Sequence, residues 1–193
     1  MSSSTKLSGI VLAGGLGRRL GAPKASLPFQ GTTLVERAVT ILDEFCAEVL
    51  VVSRPEIPLP KLQVPVIMDE PGPPSALRGL VTGLNSACFS EAVVLACDLP
   101  FAARLVSRIV ASETPLGNEW AVVGVDQKGV LQPLCARYAR LTALTVAREL
   151  LVSSKLKLKE LLDSLEVRTV LAEDNELVNL NSLADLEAAQ QLN

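Results

Sequence analysis

Residues 12–24 read LAGGLGRRLGAPK, and they continue a short apolar run that begins at Gly9. The stretch contains four glycines, two adjacent arginines and one lysine. Glycine allows the backbone to approach a ligand closely, so that main-chain N–H groups can face a phosphate. The stretch therefore predicts one of two structures at the end of a buried strand, a basic surface turn or a phosphate-binding loop.

Short apolar runs alternate with segments of helical periodicity along the chain. Strands are predicted at 9–14, 48–53, 65–69 and 92–98, and helices at 33–45, 79–89 and 100–112, with a proline-rich loop at 54–65. The second half predicts strands at 119–126, 130–138 and 167–172, helices at about 140–152 and 155–164, and a terminal helix that begins with a Ser182–Asp185 capping pattern. This order is typical of a three-layer α/β fold, a mostly parallel, Rossmann-like sheet with helices on both faces.

The composition favours one domain, 1–193, with a large core of small and branched apolar side chains. Of the 193 residues, 49% are hydrophobic and only 3% are aromatic. The net charge of −3 argues against a nucleic-acid-binding protein, which would carry a basic face. No apolar run approaches the roughly 20 residues that cross a bilayer, and the N-terminus has no signal-peptide pattern. We therefore expect no nucleic-acid partner, no membrane contact and a cytoplasmic location.

The cysteine and histidine contents limit the available chemistry. Cys46, Cys88, Cys97 and Cys135 form no CxxC pair and have apolar neighbours, so we predict buried, reduced thiols. The chain contains no histidine, which excludes Ser–His and Cys–His nucleophiles. Catalysis would have to use carboxylates, lysine, arginine, backbone amides or a metal ion with oxygen ligands.

Ligands of open parallel sheets bind outside the carboxyl ends of the strands. In this chain the loop 12–24, Ser53, Asp69 and Asp98 each follow a predicted strand. We therefore expect these four elements to meet at one edge of the sheet and to carry the chemistry.

Two common phosphate-binding motifs do not fit the glycine loop. The pattern GxxxxGK[ST] fails because Gly21 is followed by Ala22. The dinucleotide pattern GxGxxG fails because Gly21 comes one residue late after Gly15 and Gly17, and because the second strand ends in a serine.

A third pattern fits the loop. The order LAGGxxxRxGxxK, followed by a Leu-Pro pair and a glycine turn, resembles the nucleotidyltransferases that form sugar nucleotides. Later segments resemble the molybdenum cofactor guanylyltransferases within that superfamily, and they occur in the family's order over nearly the whole chain. These segments are VIMD (66–69), VLACDLPF (94–101), LQPLCARY (131–138) and NLNSLADL (179–186).

The resemblance implies the nucleotide-diphospho-sugar transferase type of fold and a specific reaction. GMP would pass from GTP to the phosphate of molybdopterin or its molybdenum form, with release of pyrophosphate and formation of the guanine dinucleotide cofactor. It implies Mg²⁺ held by Asp98, with Lys24 and Arg19 as further catalytic residues that neutralise the triphosphate. It also implies a nucleotide-binding half (about 8–110), an acceptor-binding half (about 111–193), and molybdenum enzymes or their chaperones as partners.

Further site residues follow from the same resemblance. The nucleotide-binding set is Leu12, Ala13, Gly14, Gly15, Lys24, Ser53, Asp69 and Asp98, and the acceptor-binding set is Gln132, Pro133, Asn179 and Asn181.

Structural alternatives stay open for several of these residues. Asp98 could instead cap the following helix, Asp69 could be a solvated carboxylate at a strand end, and the two asparagines could stabilise a loop by hydrogen bonds. Arg78 stands in the segment SALRG, where the family has a GPLAG-like turn, and could contact a phosphate or lie exposed at a helix start.

Three rival functions remain at this stage. A cytidylyltransferase acting on the same pterin is the nearest, although those relatives tend to have alanine where Gly14 stands. A nucleotidyltransferase for another small phosphorylated acceptor is the second. The third is a nucleotide-binding accessory protein without turnover, against which the presence of both Lys24 and Asp98 argues.

Overall fold

The computed structural model describes residues 6–15, 17, 21–69, 73–118, 120–173 and 175–191. The strands are β1 (Leu7–Leu12), β2 (Pro28–Phe29), β3 (Thr32–Thr33), β4 (Glu48–Ser53), β5 (Val66–Met68), β6 (Glu91–Ala96), β7 (Trp120–Val125), β8 (Leu131–Ala139) and β9 (Glu166–Leu171). The helices are α1 (Leu34–Asp43), α2 (Ala76–Ser86), α3 (Ala103–Ala111), α4 (Arg140–Val152), α5 (Leu158–Asp163) and α6 (Leu183–Gln190).

The strands form a mostly parallel seven-stranded sheet in the order β5-β4-β1-β6-β8-β7-β9. Strand β8 runs antiparallel to both of its neighbours, whereas β1, β4, β5 and β6 pair in parallel, as do β7 and β9. The α/β prediction is confirmed. The carboxyl ends of β5, β4, β1 and β6 therefore share one edge of the sheet, and the antiparallel β8 begins at that same edge.

Two apolar layers cover the faces of the sheet. On one face Val11 and Leu95 pack with residues of α1 and α3, and on the other Ile10 packs with residues of α2 and α4. Helix α2 approaches very closely, because a Cβ added at Gly83 would lie 2.5 Å from Cγ2 of Ile10. The close contact holds the amino-terminal end of α2 beside the edge where the strands end.

Helix α2 begins three residues before the predicted position. Ser75 lies in extended backbone and its Oγ accepts a hydrogen bond from the Arg78 N–H at 3.1 Å, which starts the helix at Ala76. Apolar periodicity marks which face of a helix is buried, but the N-cap decides where the helix starts. The short hairpin of β2 and β3 was also not predicted as strand.

A small third cluster joins the hairpin to the end of the chain. Phe29 and Leu34 pack with Leu180, and Phe101 packs against them from the turn after β6. The Phe29 and Phe101 rings meet edge to face with centroids 5.6 Å apart. The cluster therefore holds the segment before α6 against the first half of the chain.

The predicted burial is right for Cys97 and Cys135, only partly right for Cys46 and wrong for Cys88. All four cysteines are free; Cys97 and Cys135 are buried, Cys46 is partly buried and Cys88 is exposed. Burial raises the pKa of Cys46, Cys97 and Cys135 to about 12, which keeps these thiols protonated. Cys88 is exposed because it follows the end of α2, where its backbone N–H donates to Glu48.

Over the described part of the chain, every helix is too short or too polar to span a bilayer.

Two glycines in the described part of the loop after β1 have left-handed backbone. Gly17 has φ +57° and Gly21 has φ +68°. A Cβ at Gly17 would lie 2.0 Å from the carbonyl oxygen of Ala22, whereas a Cβ at Gly21 would meet nothing within 4 Å. The loop closes where the Lys24 N–H donates to the Gly15 carbonyl at 3.4 Å. Lys24 then begins a short 3-10 turn, Lys24–Ser26.

These two glycines form a matched pair for substitution. Gly21→Ala should lower the free energy of unfolding by about 1–2 kcal/mol, the cost of left-handed backbone for an L-residue. Gly17→Ala carries the same backbone cost and adds the overlap with Ala22, so it should destabilise the protein clearly more. Urea denaturation of both variants measures the difference. Equal losses in the two variants would contradict the close approach of Ala22 to Gly17.

A second prediction concerns the start of α1. Thr33 and Glu36 form a capping box, in which the Thr33 hydroxyl accepts from the Glu36 N–H and the Thr33 N–H donates to Glu36 Oε2 at 2.9 Å. Thr33→Ala should lower the free energy of unfolding at pH 7 by about 1 kcal/mol. The exposed Thr40→Ala on the same helix is the control, and its effect should stay within about 0.5 kcal/mol.

The effect of Thr33→Ala should also depend on pH. Hydrogen bonds from Thr33 lower the pKa of Glu36 below its ordinary value of 4.5. A lowered carboxyl pKa adds stability above the unfolded-state pKa, and this stability is lost as the pH falls through the folded-state pKa. The difference between wild type and Thr33→Ala should therefore shrink below about pH 4.5. A difference that stays constant on acidification would show that the Glu36 carboxylate contributes nothing to the effect.

Candidate functional site

A cavity of about 380 Å³ opens at the shared edge of the parallel strands. Seven of the residues proposed from the sequence line it: Leu12, Gly14, Gly15, Lys24, Ser53, Asp69 and Asp98. They come from the ends of β1, β4, β5 and β6, so the parallel register brings them together although they are distant in the sequence. Arg19 lies outside the described residues.

The sheet order sets the layout of the cavity. Asp69 follows β5, Ser53 ends β4, the glycine loop follows β1 and Asp98 follows β6. Neighbouring strands lie about 4.8 Å apart, so the Asp69 and Asp98 ends are separated by about 14 Å. An elongated ligand can therefore extend along the edge from one carboxylate to the other.

The Lys24 ammonium group connects three distant parts of the chain at one end of the cavity. Its Nζ lies 2.6 Å from Asp98 Oδ2 and 2.5 Å from Asn181 Oδ1. The side chains of Lys24 and Asp98 are each only 15% exposed. A partly buried ion pair of this kind interacts more strongly than a surface pair, because water screens it less.

The Asp98 carboxylate has one oxygen paired and one unpaired. Oδ2 accepts from Lys24, whereas Oδ1 is buried and has no hydrogen-bond partner among the described residues. Helix α3 is preceded by Ala102 without a side-chain cap, so Asp98 does not cap it. The backbone carbonyl of Asp98 accepts from the Leu180 N–H at 3.1 Å, which ties the turn to the segment before α6.

The unpaired Asp98 oxygen fits a divalent cation. A buried carboxylate oxygen without a donor is costly, and a hard cation would satisfy it. No group of three or more acidic, histidine or cysteine side chains suited to a metal exists among the described residues. One carboxylate can be enough for a hard divalent cation, because Mg²⁺ typically uses one or two protein carboxylates and takes its other ligands from water and substrate phosphates.

The opposite end of the cavity is held by backbone and side-chain hydrogen bonds. The Asp69 N–H donates to the Ser53 carbonyl at 2.7 Å, and the Ala13 N–H donates to the Val52 carbonyl at 2.8 Å. Asp69 Oδ1 accepts from the Thr82 hydroxyl of α2 at 2.8 Å. Asp69 is therefore anchored to a helix and is not a freely solvated carboxylate. Ala13 is fully buried, and its N–H is used within the sheet.

The structure brings one of the four proposed acceptor-side residues to the Lys24 end. Asn181 accepts from Lys24, whereas Asn179 is exposed two residues earlier. Gln132 pairs opposite Gly124 of β7, and the Pro133 carbonyl accepts from the buried Tyr138 hydroxyl at 2.7 Å. Among the described residues, it is their neighbour Leu134 that lines the cavity from β8.

Ser75, the N-cap of α2, contributes to the cavity wall, and Arg78 follows in the first turn of the helix. The Arg78 Nε donates to the Pro73 carbonyl at 3.2 Å, so its guanidinium supports the turn that precedes the helix.

Sequence reasoning missed Arg54. Its side chain lines the cavity, and Cγ and Cδ would lie 3.5 and 3.6 Å from a Cβ added at Gly14. The one feature of the sequence that could have indicated Arg54 is its position directly after Ser53, at the end of a predicted strand.

Comparison with known proteins places the chain in a family. Residues 9–168 match the MobA-like NTP transferase domain. The chain is 36% identical over 197 residues to the probable molybdenum cofactor guanylyltransferase of Mycobacterium bovis (strain BCG / Pasteur 1173P2), covering 96% of this chain and 94% of that protein.

Two solved structures share the fold. Molybdopterin-guanine dinucleotide biosynthesis protein A from Archaeoglobus fulgidus superposes with a TM-score of 0.75 at 22% identity, covering 96% of this chain and 97% of that one. The 2-C-methyl-D-erythritol 4-phosphate cytidylyltransferase from Thermus thermophilus superposes with a TM-score of 0.73 at 20% identity, covering 97% of this chain and 98% of that one. The family match, the full-length relative and the shared nucleotidyltransferase fold agree: the chain belongs to the MobA-like NTP transferase family.

Proposed function

We propose that this protein transfers GMP from GTP to the phosphate of molybdopterin or its molybdenum form, with Mg²⁺ bound at Asp98. The observation that carries the proposal is the cluster of Lys24, Asp98 and Asn181 at one end of a cavity long enough for a nucleotide. The relative at 36% identity is named for guanylyl transfer to this cofactor, which supports the same activity here.

The reaction depends on electrostatic stabilisation more than on a general base. An oxygen of the acceptor phosphate attacks the α-phosphorus of GTP, a new P–O bond forms, and the bond from that phosphorus to the pyrophosphate oxygen breaks. The acceptor phosphate is already ionised, so no proton has to be removed from it. A chain without histidine is therefore adequate, and the main task is to offset repulsion between two anions.

Lys24 is proposed to provide positive charge where pyrophosphate leaves. Its ammonium is held by Asp98 and Asn181 and needs little reorganisation when the triphosphate binds. Arg19 is proposed to add charge from the glycine loop. Asn181, from the acceptor half, orients the ammonium and would bring the acceptor-side segment to the α-phosphate.

Asp98 is proposed as the protein ligand of Mg²⁺ through its unpaired Oδ1. The bound cation would neutralise charge on the triphosphate and orient it. Lys24 can keep its contact with Oδ2, so the carboxylate serves both groups at once.

The nucleoside is proposed to lie toward the other end of the cavity. Leu12, Ala13, Gly14 and Gly15 would present backbone to the base, and Ser53 would complete that wall. Asp69, which is anchored to Thr82, would accept hydrogen bonds from the ribose or base.

The acceptor is proposed to bind on the side of residues 111–193, and the nucleotide on the side of about 8–110. A second cavity, of about 240 Å³, lies between the β7–β8 turn and the segment after β9, next to the edge where the first cavity opens. Gln132, Pro133 and Asn179 stay predictions for acceptor contacts. A cytoplasmic site of action, with molybdenum enzymes or their chaperones as recipients, also stays a prediction.

The reaction can be tested directly. The purified protein is incubated with Mg²⁺, molybdopterin and one nucleoside triphosphate at a time, and products are separated by chromatography. Guanine dinucleotide formed with GTP alone supports the proposal. A product with CTP alone would replace it by cytidylyl transfer, which a shared fold with a cytidylyltransferase allows. Nucleotide binding without pyrophosphate release would instead indicate an accessory protein.

The roles of Lys24 and Asp98 predict a large loss of turnover when either side chain is removed. Lys24→Ala and Asp98→Ala should each lower turnover at least about a hundredfold, the order expected when one charge-stabilising group is lost. The matched control is the exposed pair Lys159 and Asp163 of α5, whose atoms lie 2.7 Å apart. Alanine at either control position should leave turnover unchanged. Wild-type turnover in Asp98→Ala would remove the metal assignment.

A further inference from the structure

Arg54 is a cationic side chain in the cavity that no step above uses. It follows β4 directly, its side chain is 19% exposed, and it lines the same cavity as Asp69 and Lys24. Its guanidinium forms an ion pair with Glu56 through Nη2. Because a guanidinium has five N–H donors, this pairing leaves donors available to a ligand.

The sheet order places Arg54 away from the end of the cavity that holds Lys24 and Asp98. Strand β1 and its glycine loop lie between β4, which Arg54 follows, and β6, which Asp98 follows. The triphosphate is drawn to the Lys24–Asp98 end by charge and metal binding. The part of the nucleotide that extends toward β4 and β5 is therefore the nucleoside, and Arg54 is the cationic side chain among the described cavity residues on that side.

Gly14 and Arg54 lie side by side in the wall of the cavity. The Arg54 stem lies beside the Gly14 backbone, where a Cβ at Gly14 would be in ordinary van der Waals contact with Cγ and Cδ of the arginine. Glu56 pairs with the guanidinium through Nη2 and restricts its motion. A guanidinium held by an ion pair loses less freedom when it forms directional hydrogen bonds to a ligand.

We propose that Arg54 is a specificity-determining residue whose guanidinium donates hydrogen bonds to O6 and N7 of the guanine base. The proposal rests on the proposed function, because it takes GTP as the donor nucleotide. Guanine presents two adjacent acceptors on this edge, which match two guanidinium N–H groups. Adenine replaces O6 with an amino donor, and cytosine has no N7, so neither base offers the same pair.

The test uses 7-deaza-GTP, which lacks the N7 acceptor but keeps O6 and all three phosphates. Binding of GTP, 7-deaza-GTP and ATP is measured by calorimetry with Mg²⁺ and without acceptor. Wild type should bind 7-deaza-GTP more weakly than GTP. Arg54→Ala should weaken GTP binding roughly tenfold to a hundredfold, leave ATP binding unchanged, and abolish the difference between GTP and 7-deaza-GTP.

Two further variants sharpen the result. Arg54→Met keeps most of the stem but has no N–H donors, so it should also bind GTP and 7-deaza-GTP alike. It also keeps the test decisive if Arg54→Ala is unstable. Arg104→Ala, an exposed arginine on α3, is the matched control and should retain the preference for GTP.

Some outcomes would overturn the assignment. If Arg54→Ala weakens GTP, 7-deaza-GTP and ATP equally, Arg54 acts on the phosphates or on folding. If both Arg54 variants keep the wild-type discrimination, it does not read the base. The proposed function fails separately: wild type would then form no guanine dinucleotide from GTP and molybdopterin, whatever the Arg54 variants do.

Discussion

Strand β1 is hydrogen-bonded to a parallel strand on each side, and the site depends on this pairing. The register places Leu12 beside Val52 of β4 and Ala96 of β6. Residues just beyond these positions, including Gly14, Arg54 and Asp98, must then emerge at the same edge. Parallel pairing leaves no freedom to move one of them away without breaking the backbone hydrogen bonds of the sheet. The cavity is therefore a direct consequence of backbone pairing, and the side chains determine what it can bind.

The last part of the chain completes the Lys24 end of this cavity. Leu180 packs beside Phe29 and Leu34, and its N–H reaches the Asp98 carbonyl. The next residue, Asn181, then meets Lys24. Apolar packing and one backbone hydrogen bond thus bring together two polar side chains that are 157 residues apart in the sequence. A ligand that binds between these groups would contact both halves of the chain.

Much of the fold could be predicted because its signals are local. The strands β1, β4 and β6 are short apolar runs, and α1 and α3 have strong helical periodicity, so their order and type followed from the sequence alone. The α6 capping box could also be predicted, because Ser182 and Asp185 lie three residues apart. The start of α2 and the exposure of Cys88 could not be predicted, since both depend on contacts with other elements. The pairing of Lys24 with Asn181 and the packing of Arg54 on Gly14 likewise depend on which loops meet.

The sequence by itself determined the layer architecture, the residue types available for chemistry and the family that they resemble. This was possible because apolar periodicity, glycine spacing and the absence of histidine are properties of the amino-acid sequence and do not depend on contacts between distant residues. Only the tertiary structure decided that Lys24 pairs with one Asp98 oxygen, that Asn181 orients Lys24, and that Arg54 lies in the cavity beside Gly14. These arrangements join residues from different strands and loops, and only the packed sheet sets the distances between them.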